Sequence, residues 1–269
     1  SRENIARAKA EIFLGLEKEG AVILPVDNDF FSLLRDLAHA AGVQRIITFG
    51  ESRTADIRLD GYRMRENGGD VSASVFGAPF EFSLSAPGRH QAMNSLAVIG
   101  AARALGVPAA KAAAGLKGLA AAAGRGAQSR ITLKSGAEVL ILDESYNANP
   151  TSMAAALALP GQLQPKGKRR RIAVLGEMLE LGPDAPALHA GLAEALVAAR
   201  VDRLYVAGAL MRHLWDKAPE AIRASAAPDA KALTAAVVAS VHDGDIVMVK
   251  GSNASKVSEI VAALKAAAA

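Results

Sequence analysis

The 269 residues include no cysteine, which rules out disulfides, cysteine-ligated zinc and a thiol nucleophile, and fits a reducing compartment. Aromatic residues make up only 4% of the chain, so the core is expected to be built from Ala, Leu and Val. The one dense basic run, Lys166-Gly-Lys-Arg-Arg-Arg171, has no aromatics interleaved and reads as a loop leading into a strand, so no nucleic-acid partner is expected. No apolar run approaches the roughly eighteen residues of a membrane span. The opening Ser1-Arg-Glu-Asn4 starts a charged amphipathic helix and not a signal peptide, so the expected location is cytoplasmic.

Several catalytic signatures are also missing. There is no H-E-x-x-H, G-x-S-x-G or G-x-G-x-x-G, and no phosphate loop of the form G-x-x-x-x-G-K-[ST]. Gly161 to Lys168 comes near, but five residues separate its glycines, Arg169 stands where the magnesium-binding hydroxyl belongs, and the segment precedes a strand instead of following one. The five histidines (39, 90, 189, 213 and 242) are scattered, and each reads as structural.

What is present is an Ala/Leu/Val-rich chain, 51% apolar and 22% charged, with net charge +4 and length for one large or two ordinary domains. Ile5, Ala8, Ile12 and Leu16 predict a helix over 2–19, stopped by Gly20. Strands at 22–24 and 45–49 flank a helix over 30–41, the alternation of a parallel sheet. Between Ala55 and Ser85 the period becomes two, predicting antiparallel strands joined by turns such as Asn67-Gly-Gly-Asp70. Pro87-Gly-Arg-His90 opens a helix to about Leu105, and Pro108 starts another.

Composition changes at Gly124-Arg-Gly126, which puts the expected boundary between domains 1–125 and 126–269. Beyond it, strands near 130–134, 138–142, 171–175, 203–207 and 245–249 alternate with helices near 152–159, 186–199, 209–217, 229–240 and 254–267. That is the pattern of a Rossmann-like, doubly wound α/β domain, in which ligands bind at the carboxyl ends of the strands.

The most informative of those ends is Val139-Leu-Ile-Leu-Asp-Glu-Ser-Tyr-Asn-Ala-Asn-Pro150, where four apolar residues run into a dense polar cluster. A helix-capping turn would account for part of it, but not for so many different polar groups. Val174-Leu-Gly-Glu-Met-Leu-Glu-Leu-Gly182 and Val249-Lys-Gly-Ser252 end two further strands. One sheet edge is therefore expected to gather Asp143, Glu144, Glu177, Glu180, Asn147, Asn149 and Lys250. Gly88-Arg-His-Gln-Ala-Met-Asn94 places polar groups at a helix start, and Lys9, among alanines on a helix, reads by itself as a solvated charge.

In this order and spacing the segments resemble the ATP-dependent Mur ligases. The resemblance is carried by Ala8-Lys-Ala-Glu-Ile-Phe13, Gly88-Arg-His90 with Asn94-Ser-Leu-Ala97, Gly124-Arg125, Asp143 to Pro150, Ala173 to Gly182 with His189, and Gly244-Asp245 with Val249-Lys-Gly-Ser252. It runs essentially from end to end. The S-Y-N-A-N-P and L-G-x-M-L-E-L-G blocks point to the branch that joins D-alanyl-D-alanine to UDP-N-acetylmuramoyl-tripeptide in peptidoglycan and cell-wall synthesis. The resemblance implies an α/β fold with part of the central Mur-ligase ATPase domain, followed by a Rossmann-like doubly wound C-terminal domain, in a protein acting as a monomer. The implied chemistry is phosphorylation of the tripeptide carboxylate by ATP. The amine of D-alanyl-D-alanine then attacks the acyl phosphate through a tetrahedral intermediate, with magnesium and cationic groups neutralising charge.

By the same resemblance, Lys9 is the lysine that becomes a carbamate and gives magnesium an oxygen ligand. His90 and Asn94 lie against adenine, and Arg125 reaches the nucleotide as a second catalytic group beside Lys9. Glu144, Tyr146 and Asn149 contact nucleotide or the incoming dipeptide, while Asn147, Glu177, Met178, Lys250 and Ser252 border the dipeptide pocket. Departures from the family pattern are Glu144 and Glu177 where aspartate is usual, Gln91 for asparagine and Asn253 for arginine. The substrate-recognition domain and phosphate loop that the family carries ahead of the Lys9 segment are not among these residues, so the chain alone is expected not to turn over ATP. Two other readings stay open: another amide ligase of the superfamily, such as a folylpolyglutamate synthase-like or cyanophycin synthetase-like protein, and a non-catalytic nucleotide- or peptide-binding module.

Overall fold

The computed structural model describes residues 2–65, 68–119, 121–162 and 170–269, and the chain divides into two compact units, Ser1–Leu119 and Ala120–Ala269.

In the first unit, helix α1 (Arg2–Ala10) runs into a 3-10 turn (Glu11–Gly15) and then strand β1 (Ala21–Pro25), helix α2 (Phe31–Ala40) and strand β2 (Arg45–Gly50). Three strands follow, β3 (Ile57–Arg65), β4 (Gly68–Val75) and β5 (Ala78–Leu84), then helices α3 (Arg89–Ala104) and α4 (Ala109–Leu116). The sheet order is β1-β2-β3-β4-β5, parallel through β3 and antiparallel from β3 to β5, as the change of period predicts. Helix α3 covers the parallel half, and Gly100 lets it approach closely, since a Cβ there would lie 3.2–3.6 Å from Ile23, Ile57 and Ile47.

Two expectations fail in this unit. The first helix ends at Ala10 and not near residue 19, and its apolar stripe is misplaced. Ala6, Ala10 and Phe13 are buried while Ile5 and Ile12 are exposed, so the packed face lies about one residue round from the one the isoleucines suggest. Gly68-Gly-Asp70, expected as a turn, is strand. Gly69 is needed there because the Tyr62 side chain lies against it, where a Cβ would come within 2.3 Å of the ring. Asn67 lies outside the described residues.

The second unit contains β6 (Ala127–Thr132), β7 (Glu138–Glu144), α5 (Pro150–Gln162), β8 (Arg171–Gly176), α6 (Ala185–Ala190), α7 (Leu192–Ala198) and β9 (Arg203–Ala207). Helix α8 (Met211–Lys217), β10 (Arg223–Ala227), α9 (Ala230–Ser240), β11 (Ile246–Lys250) and α10 (Ser258–Ala266) complete it. The order is β10-β9-β8-β11-β7-β6, parallel except for β6. The central strands are apolar on both faces because helices cover both. Val139, Ile141, Ile172, Val174, Val247 and Val249 pack with Leu233, Val237, Ile260 and Leu264 of α9 and α10. Helices α5, α7 and α8 pack among themselves and onto β8, β9 and β11, so β8 and β11, side by side, are followed by helices on opposite faces.

Strand β10 was not expected, and the helix foreseen over 186–199 is divided at Gly191. Of the basic run, residues 166–169 lie outside the described residues. Arg171 enters β8 as foreseen, and Arg170 chelates the buried Asp245 through Nε (3.0 Å) and Nη2 (2.6 Å).

Candidate functional site

Parallel register brings the ends of β7, β11 and β8 together. Lys250 pairs with Glu144 on one side and with Leu175 on the other, so the polar residues after all three strands share one edge of the sheet. This is the convergence that the alternation of elements predicts, at the place where an open α/β sheet binds ligands.

The loop after β7 is held from below. Asp143 is buried and acts as an anchor: Oδ2 accepts from the Gly124 amide (2.9 Å), and Oδ1 accepts from the Ser145 hydroxyl (2.6 Å). Gly124, at φ +74°, presses on Tyr146 so closely that a Cβ would lie 2.9 Å from the Tyr146 backbone nitrogen. Its neighbour Arg125 stacks its guanidinium 4.0 Å above the Tyr146 ring, and this ring is 48% exposed. A planar cation on an exposed aromatic presents a flat face with positive charge beside it. Gly124-Arg-Gly126 thus belongs to the second unit.

Lys250 straps the same loop from the neighbouring strand. It is almost fully buried, its Nζ donates to the Asn147 carbonyl at 2.8 Å, and it lies 3.9 Å from Glu144 Oε2. Burial pushes the Lys250 ammonium below the ordinary lysine range, with Glu144 opposing. Burial likewise raises the Glu144 carboxyl; Lys250 opposes the rise and Asp143 adds to it. Asn149 serves the helix that follows, since its Oδ1 accepts from the Ser152 amide (2.8 Å), while Pro150 occupies the first turn. The side chain of Asn147 is exposed, with Oδ1 on the Ala148 amide at 2.8 Å.

After β8, Glu177 turns away from Lys250. Its Oε1 accepts from the Leu210 amide (2.9 Å) at the start of α8, and its side chain lies against Gly208. Met178 is fully buried, and its amide donates to His189 Nε2 at 3.0 Å. Ser252, after β11, closes the gap by accepting from the Leu179 amide through Oγ (3.0 Å) and donating its own amide to the Glu177 carbonyl (2.9 Å). Gly176 and Gly251 meet between these two loops, where a Cβ on Gly251 would sit 3.0 Å from the Gly176 Cα.

In the first unit, His90 and Asn94 lie one helical turn apart at the start of α3, with Asn94 exposed. That start is pinned by the Gly88 amide donating to the Tyr62 hydroxyl (2.7 Å) and by an Arg89–Glu51 ion pair at 2.8 Å. Lys9 is exposed in the last turn of α1. Among the described residues no three His, Asp or Glu side chains are grouped to hold a metal ion. A carbamate on Lys9 would add one donor group only, so these residues do not by themselves build a magnesium site.

Two contacts escaped the sequence reading, although the residues that make them were noted. His189 is wholly buried and holds Met178 across eleven positions, a contact that only the tertiary fold makes. The glycine pair at Gly176 and Gly251 was legible as punctuation after two strands, but its mutual contact was not.

A doubly wound unit with a strapped polar loop and a flat cationic face at its carboxyl edge has the architecture in which α/β domains bind ligands. It accompanies a mixed-sheet unit with polar groups at a pinned helix start. Two family models match this pair of units: the Mur ligase middle domain over residues 1–102 and the Mur ligase glutamate ligase domain over residues 129–253. The chain belongs to the Mur ligase family.

A UDP-N-acetylmuramoyl-tripeptide–D-alanyl-D-alanine ligase of Bacillus subtilis is 32% identical over 97% of this chain and 54% of its own length. The ligase of that name from Escherichia coli is 28% identical over 98% and 56%. A UDP-N-acetylmuramate–L-alanine ligase of Streptomyces coelicolor is 36% identical, but over only 51% of the chain and 28% of its own length. Among solved structures, MurF from Acinetobacter baumannii superposes with a TM-score of 0.83 at 24% identity over 99% of this chain and 56% of that one. MurF from Thermotoga maritima, solved with ADP, gives 0.81 at 23% over 99% and 58%. These two establish the fold. The chain spans little more than half the length of the relatives it matches.

Proposed function

We propose that this chain forms the middle and C-terminal parts of an ATP-dependent ligase that joins D-alanyl-D-alanine to UDP-N-acetylmuramoyl-tripeptide, a step of peptidoglycan precursor synthesis. The observation that carries this reading is one of extent. Similarity to ligases of that name runs through nearly the whole chain, across both units, whereas an L-alanine-adding ligase matches only half of it. ATP as co-substrate keeps the reading in the cytoplasm.

The residues divide the work as follows. His90 and Asn94 take the adenine, with Asn94 offering an amide that can both donate and accept. Arg125, Tyr146, Glu144 and Asn149 take nucleotide at the strand-end edge. The Arg125 guanidinium, lifted off the Tyr146 ring, supplies positive charge where a phosphoryl oxygen develops negative charge. Asn147, Glu177, Met178, Lys250 and Ser252 shape the dipeptide pocket. Glu177 and Lys250 do so by fixing loops, since both side chains are already engaged with backbone groups. Lys9, if carbamylated, would offer magnesium one oxygen ligand, and the ion would need further donors. The protein acts as a monomer.

The 269 residues contain no phosphate loop, so by themselves they bind ligands without turning over ATP. A second reading, a non-catalytic nucleotide- or peptide-binding module, rests on the exposed Arg125–Tyr146 face, which can bind a flat anionic ligand without any catalytic group. The deciding experiment is ATP-dependent ligation by the protein expressed from its complete reading frame. Product from D-alanyl-D-alanine, and none from L-alanine or glutamate, supports the proposal. Tight binding without any ligation supports the module.

A further inference from the structure

The loop Glu177–Leu181 is fastened to its unit at three places: Glu177 on the Leu210 amide, Leu179 on the Ser252 hydroxyl, and Met178 on His189. The third differs from the others in being a buried ring with both nitrogens committed. Nδ1 faces the Ala185 carbonyl at 2.7 Å, which requires a proton on Nδ1, and Nε2 faces the Met178 amide at 3.0 Å, which requires a lone pair on Nε2. A neutral imidazole in one tautomer meets both demands at once. The Met178 side chain is itself fully buried, so its amide has no water to turn to.

We propose that His189 is a positioning residue for this loop: its neutral ring fixes the Met178 backbone and thereby the placement of Glu177 and Leu179 beside Ser252. The inference rests on the reading above, in which this loop borders the dipeptide pocket. A proton added at Nε2 would set N–H against N–H and break the Met178 bond. Burial holds the imidazole below its ordinary range, the Ala185 carbonyl and the Glu177 carboxylate pull the other way, and His213 adds to the depression. The loop is therefore held at neutral pH and released in acid.

The test is a pH titration of the 269-residue chain by nuclear magnetic resonance, following the His189 ring nitrogens and the Met178 and Leu179 amides, with His189→Leu and His189→Gln alongside. The expected result is a neutral Nδ1–H ring at pH 7 that titrates below the usual histidine value, with both amides moving as it does. His189→Leu displaces those two amides at pH 7 and weakens D-alanyl-D-alanine binding about tenfold, the scale of one unmet buried amide. His189→Gln, whose amide both donates and accepts, recovers most of the affinity. A ring that titrates normally, or Met178 and Leu179 amides unmoved by protonation and by His189→Leu, overturns the proposal. If the unaltered chain binds no D-alanyl-D-alanine, the dipeptide reading fails, and the two amides still decide the role of His189.

Discussion

At the scale of single residues, the polar groups of the strand-end edge fall into those that hold the backbone and those left to meet a ligand. Asp143, Asn149, Glu177 and Lys250 each hold backbone groups, and Asn147, though exposed, also accepts the Ala148 amide, whereas Tyr146 presents an exposed ring. Asp143→Asn replaces one acceptor oxygen with a donor facing either the Gly124 amide or the Ser145 hydroxyl. It is expected to cost about 1–3 kcal/mol in urea unfolding, with little change when the exposed Lys265→Ala is measured in parallel. Lys250→Met leaves the Asn147 carbonyl unmet and is expected to loosen the loop, read as faster amide exchange over Ser145–Ala148. His189 gives a pH dependence with a definite sign. Its folded-state affinity for protons is below that of the unfolded chain, so the unfolded state binds more protons as pH falls through about 6.5, the ordinary histidine value. Its contribution to stability is complete above that pH and lost below it. Urea unfolding of the chain between pH 7.5 and 5.5 should show a loss that His189→Gln lacks.

At the scale of elements, the sheet edge was legible and parts of its surroundings were not. Val139 to Leu142, Ile172 to Leu175 and Ile246 to Val249 are continuous apolar runs, as strands covered on both faces must be, and each turns abruptly polar where it leaves the sheet. Strand β10, Arg-Ala-Ser-Ala-Ala, carries no such signal because it is an edge strand with alternating partial burial and small side chains. The isoleucines of the first helix misled for a different reason: small residues, Ala6 and Ala10, make the packed face, and period alone cannot tell which of two apolar stripes is inward. Contacts between loops, such as Gly176 on Gly251, depend on which strands end side by side. Gly251→Ala would press a methyl group within 2.9 Å of Val257 and 3.0 Å of the Gly176 backbone. A loss of about 1–3 kcal/mol is expected in thermal or urea unfolding, more than for Gly15→Ala, where nothing lies within 4 Å of an added Cβ, measured as a control.

At the scale of the whole molecule, the Mur ligase middle and glutamate ligase domain models together cover most of the chain. The account expects the 269-residue chain to release no phosphate from ATP above background, with or without D-alanyl-D-alanine; steady turnover in a phosphate-release assay would show that a phosphate loop is dispensable. The central claim, that the edge formed by β7, β11 and β8 receives the dipeptide, is tested most directly by mapping amide shifts during titration with D-alanyl-D-alanine. The account predicts shifts concentrated at Tyr146–Asn149, Glu177–Leu179 and Gly251–Ser252, absent with L-alanine. Shifts confined to other surfaces, or equal responses to L-alanine, would contradict it.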